Sequence, residues 1–139
     1  MSYEEKGLWV FLVVTVGTFV TYLAIVLRRA ADVPFAEVAY VSPLLWCLGI
    51  AIGASIVGRI LVEIVRPSER LGADARDKEI DRHGEYIAGI IVGFGMLLPF
   101  GLAMAEVDHF WIANAIYAVF VVSTLVAVTV KLVAYRRGL

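Results

Sequence analysis

Asp77, Glu79, Asp81, His83 and Glu85 place five potential oxygen and nitrogen donors within nine residues, the raw material of a divalent-cation site. Arg76, Lys78 and Arg82 are interleaved among them and neutralise the set, while Asp77 and Asp81 share a helical face with little else. The pattern reads as a solvated, self-paired helix, or as a mixed-charge face that docks a soluble protein, where alternating sign gives register more than affinity. Arg76, Asp77, Lys78, Asp81 and Arg82 are the candidate docking residues, and no metal ligands are assigned.

Arg59 and Glu63 form a second constellation, four residues apart on one face of an apolar segment. Ionisable groups inside a membrane span are costly and tend to face the bundle interior or a water-filled cavity. Two readings are open: a proton or ion pathway with Glu63 as the titrating group, or a mutually neutralised pair that snorkels to the headgroups. His109, with Glu106 and Asp108, is a smaller candidate that Asp108 leaves if it caps the following helix. Asn114 sits one turn further on, placed for an interhelical hydrogen bond. No phosphate loop, dinucleotide fingerprint, nucleophile elbow or metalloprotease motif occurs. Neither His83 nor His109 has the intramembrane partner that haem would require. No catalytic residue or cofactor is assigned, and the chain does not read as an enzyme.

The elements that carry these groups follow from composition. Of 139 residues, 61% are hydrophobic and the mean hydropathy is +0.87, well beyond a soluble domain, in which about half the residues are apolar. Charge is segregated: eleven of the twenty-five charged side chains fall in residues 66–85. A bilayer core about 30 Å thick needs roughly 20 apolar residues in a helix. Four stretches qualify: residues 7–27, 41–65, 86–105 and 110–133. They are continuously apolar rather than alternating, which favours helices over barrel strands. The expected fold is all-α, a polytopic membrane protein with four transmembrane helices in one antiparallel bundle.

Local signals set the ends. Ser2 and Glu5 fit a capping box before the first span. Asp32, with Pro34 close behind, looks like a helix start, and Asp108 should cap the last helix. Pro67, Ser68 and Gly72 punctuate the exit from the second span. From Asp74 the charged stretch should run as a helix into the third span, with Asp74 and Lys78 as an i,i+4 pair. Pro99 should kink that span by removing a backbone donor and crowding the preceding turn. The N-terminus does not read as a cleavable signal, because Arg28 and Arg29 follow where small residues would be expected. The single cysteine, Cys47, allows no intramolecular disulfide.

Small residues recur at close-packing intervals, Gly49 and Gly53 in the second span, Gly89 and Gly93 in the third. They serve either packing of those two spans within the chain or a homodimer face. Ten of twelve basic residues lie on the side holding both termini and the charged connection, against Arg28 and Arg29 on the other. That bias places both termini and residues 66–85 in the cytoplasm.

The run Asp74-Ala75-Arg76-Asp77-Lys78-Glu79-Ile80-Asp81-Arg82-His83-Gly84-Glu85 resembles the central loop of a family of small, uncharacterised bacterial membrane proteins. That loop often reads Asp-Glu-Arg-Asp, and Ala75 stands here in the place of its Glu. Residues 109–115 and 135–138 are similar to the family's last helix and tail. The resemblance implies a four-span inner-membrane protein, some relatives of which lie beside small helix-turn-helix regulators. It carries no activity and no catalytic residues.

The leading expectation is a non-enzymatic inner-membrane interaction or regulatory protein that presents its charged connection to a partner. The partners expected are the lipid bilayer and either a second copy or a membrane or cytosolic protein, with no direct nucleic-acid binding. The alternatives are a small oligomeric transporter or channel using Arg59 and Glu63, and an accessory subunit of a larger membrane complex.

Overall fold

The computed structural model describes residues 3–65 and 75–138. Five α-helices and one short 3-10 turn occur among them, with no strand. Helix α1 covers Tyr3–Ala30 and α2 covers Val41–Val65. Helices α3 (Ala75–Gly95) and α4 (Leu97–Met104) together make the third span, and α5 (His109–Arg137) makes the fourth. All four spans are long and apolar enough to cross a membrane, and the chain is an all-α, multi-pass membrane protein. The proposed cap at Ser2, the Pro67-Ser68-Gly72 turn and the Asp74–Lys78 pair lie outside the described residues.

Local chemistry explains the breaks. The third span is interrupted at Met96, and Pro99 is the cause: it lacks the N–H that would bond to the Gly95 carbonyl, and its ring crowds that turn. The ladder resumes around it, with Met96 N donating to Val92 O and Phe100 N donating to Met96 O. Asp108 caps α5 as its position suggested, accepting from Phe110 N at 3.0 Å. Asp32 does not begin a helix; the short turn Phe35–Glu37 starts after Pro34, and α2 starts separately at Val41. Arg29 reaches across this loop to donate to the Ala39 carbonyl, so it ties the loop down.

Helix α5 is the hub. Of its apolar window 39% is buried, against 11% or less for the other spans, whose outward faces are left for lipid. Helix α1 packs on α2 and on α5, while α3 and α4 pack on α5. At the end opposite the charged stretch, an aromatic cluster seals the molecule. Tyr22, 1% exposed, meets Tyr117 edge-on at 5.1 Å and donates its hydroxyl hydrogen to Asn114 Oδ1. Phe19 flanks Tyr117, Tyr40 meets Phe110 at 5.2 Å, and the buried Cys47 belongs to the same cluster. Each edge-on pair contributes about 1 kcal/mol beyond its buried area, and the interhelical hydrogen bond about 0.6 kcal/mol.

Glycines mark three close approaches, one of them Gly84 against the Lys131 stem of α5, though not those that sequence spacing emphasised. A side chain at Gly58 would press on Val10 of α1, and one at Gly95 would press on Val119 of α5. Gly49, Gly53, Gly89 and Gly93 are exposed, with nothing within 4 Å of where a Cβ would stand. They do not pack α2 against α3, because each of those helices leans on a different neighbour.

The turn between α4 and α5 is strained at one residue. Val107 N donates to Leu102 O and Glu106 N to Ala103 O, the paired bonds that close a helix with a left-handed residue. That residue is Glu106, at φ 54°, where a Cβ is penalised. Glu106→Gly should therefore stabilise the fold by about 1 kcal/mol in reversible detergent unfolding. A loss of stability would show that the Glu106 side chain holds the turn by another contact.

Candidate functional site

The charged stretch folds inward. Helix α3 presents Asp77, Asp81 and Glu85 at four-residue intervals, so the three carboxylates fall on one face. Opposite them stands Lys131 of α5, whose side chain is only 8% exposed. Its Nζ donates to Asp81 Oδ1 and to Glu85 Oε1, both at 2.7 Å. One turn further along α5, the Tyr135 hydroxyl donates to Asp77 Oδ1 at 2.9 Å. Gly84 lies between the two carboxylates, and the lysine stem occupies the space that any side chain there would fill. Ile80 is buried on the same flank.

Of the candidate docking residues, Asp77 and Asp81 are thus engaged within the molecule, reached by Tyr135 and Lys131 of the last span. Arg76 donates to the Tyr135 carbonyl at 3.5 Å, and Lys78 and Arg82 are exposed. Arg59 pairs with Glu4 of α1 at 3.4 Å, so the arginine of the second span finds its partner on another helix. His109 Nδ1 lies 3.5 Å from Asp108 Oδ1 and beside the Tyr40 ring. No group of three or more His, Cys, Asp or Glu side chains among the described residues could hold a metal ion.

These groups line a cleft of about 960 Å³, bounded by α1, α2, α3 and α5. At the charged end it is lined by Glu4, Arg59, Asp77, Lys78 and Tyr135. Deeper in, Asp81, Glu85 and Lys131 form one wall, and Phe11, Val92 and Thr124 lie at the inner end. A second, apolar chamber of about 510 Å³ lies between α1, α2 and α5, open at its sides where Leu48, Ile52 and Phe120 are exposed. Phe11 and Thr124 line both spaces and stand where the two adjoin. Ser55 Oγ, on the cleft wall, is fully buried and has no hydrogen-bond partner among the described residues.

Lys131 is the residue that sequence reasoning missed, counted there only as one more basic group near a terminus. The available signals were the four-residue spacing of Asp77, Asp81 and Glu85 and a glycine set among them. No family model, curated protein or solved structure matches the chain.

The ion pairs are asymmetric, and this sets the expected outcome of mutation. Asp81 and Glu85 are 68% and 67% exposed, so either carboxylate can be solvated if Lys131 is lost. The ammonium cannot be solvated in the same way if both carboxylates are lost. Asp81→Asn with Glu85→Gln should cost about 3 kcal/mol, the range for orphaning a buried charge, whereas Lys131→Met should cost about 1 kcal/mol or less. Detergent unfolding of both variants checks the order, and equal losses would refute it.

Proposed function

We propose that this chain is a small transporter- or channel-type protein of a bacterial inner membrane, which takes a solute into the cleft between its helices. The supporting observation is a charged cleft between the helices that shares Phe11 and Thr124 with an apolar chamber, partway along the spans. The aromatic cluster packs the far end of the bundle. The basic-residue bias orients the charged end, and both termini, toward the cytoplasm. This is the transport alternative of the sequence, moved from Arg59 and Glu63 to a site centred on Lys131, Asp81 and Glu85. Homo-oligomerisation fits the same reading. The glycine faces of α2 and α3 are open, and small residues there let a second copy approach closely.

A docking reading is favoured by one different observation. The first turns of α3 are pinned to α5 while Lys78, Glu79, Arg82 and His83 remain exposed, a rigid surface for a partner such as the regulator that the family resemblance suggests.

The two separate by experiment. In proteoliposomes loaded with proton- and cation-sensitive dyes, wild-type protein should give a flux above empty vesicles, and Thr124→Trp should close the junction and return it to that background. Wild-type flux equal to that of empty vesicles would remove the transport reading. For docking, Lys78→Glu with Arg82→Glu should abolish capture of a cross-linked partner from native membranes, and undiminished capture would dismiss that surface.

A further inference from the structure

The two spaces differ in what they offer, and together they define a ligand. Within the cleft Lys131 is enclosed and doubly hydrogen-bonded, while the carboxylates that hold it are about two-thirds exposed. An incoming molecule therefore meets carboxylate oxygen rather than ammonium. The full lining agrees, with four carboxylates (Glu4, Asp77, Asp81, Glu85) against three cations (Arg59, Lys78, Lys131). The unpartnered Ser55 Oγ adds a buried polar atom to the wall of the same space. Beside Phe11 and Thr124 the surface changes character, and the partly exposed Leu48, Ile116 and Phe120 offer an apolar, open-sided chamber.

The geometry points to a lipophilic organic cation as the ligand: a cationic head against Asp81 and Glu85, with an apolar body passing Phe11 into the chamber. Lys131 is the resident cation of this site. Its ammonium occupies the carboxylates in the empty protein and competes with the head group for them. An anionic amphiphile of the same shape is rejected, because Lys131 is taken up by Asp81 and Glu85 and Arg59 by Glu4, which leaves Lys78 alone to meet an anion among carboxylates that repel it. An apolar body alone gains only the chamber, and a small hydrated cation alone gains only the carboxylates. The assignment rests on the cleft being a solute site, as proposed above, and adds the sign and character of the solute.

Binding and flux are measured separately on the full chain. Tetraphenylphosphonium and tetraphenylborate are nearly equal in size and opposite in charge, and equilibrium dialysis against protein in detergent micelles reads each directly. The phosphonium should bind saturably and the borate should not. Lys131→Met removes the competing cation and should tighten phosphonium binding about tenfold, an effect that a purely structural lysine would not produce. Combining Lys131→Met with Asp81→Asn and Glu85→Gln removes the charges together, so no ammonium is orphaned, and should abolish saturable binding. Ile116→Trp, which fills the chamber without touching the charges, should weaken it about tenfold. Equal or tighter binding of the borate, or wild-type phosphonium affinity in the triple variant, would overturn the assignment. Saturable phosphonium binding without flux would retain the ligand class and reject transport. Flux of other cations without phosphonium binding would do the reverse.

Discussion

An ammonium group taken out of water is the constraint on which this structure depends. Lys131 lies about 9 Å from the end of α5, six residues before Arg137 at helical rise, and almost none of it is exposed. Such a charge costs several kcal/mol unless opposite charge is placed against it with good geometry. Only one face of α3 can supply this, because only there do two carboxylates stand a turn apart with a glycine between them. The rotation and height of α3 against α5 are thereby set by charge. Apolar contact alone would not choose them, since lipid tails solvate leucine as well as another helix does. The Tyr135–Asp77 hydrogen bond, one turn along, repeats the same registration and resists slippage.

The other half of the molecule is held by different means. The hairpin of α1 and α2 is joined through the close approach of Gly58 to Val10, and it meets α5 through the aromatic cluster. At the charged end the Arg59–Glu4 pair links α2 to α1, and Arg136 lies 5.7 Å from the centre of the Trp9 ring, linking α5 to α1. Polar and aromatic contacts thus gather at the two ends of the bundle. Helix α2 packs on α1 and α3 packs on α5, and the cleft lies between those two pairs.

Features that depend on neighbouring residues in the chain were legible in the sequence. The span positions, the Asp108 cap, the Pro99 interruption and the continuation of the charged stretch into the third span all follow from local chemistry. Asp32 looks like a helix cap, but Pro34 opens only the short turn Phe35–Glu37, and α2 starts separately at Val41. Features that depend on which helices touch were hidden. Lys131 lies 46 and 50 residues from its carboxylates, so nothing local distinguishes it from the other basic residues of the tail. Arg59 pairs with Glu4 on another helix, whereas spacing points only to Glu63 on its own. The glycine pairs at Gly49 and Gly89 share their spacing with packing motifs, yet the contacts fell to Gly58 and Gly95. Spacing describes a face and does not say which helix arrives there.

Cys47 gives the fold a built-in chemical witness. It is the chain's one cysteine, and it is enclosed in the aromatic seal beside Tyr22 and Tyr117. A thiol in that position is shielded from water-borne reagents, and only a separation of the helices packed around it would expose it. An opening at the far end would therefore carry its own covalent signature, written by the chain itself without any added label.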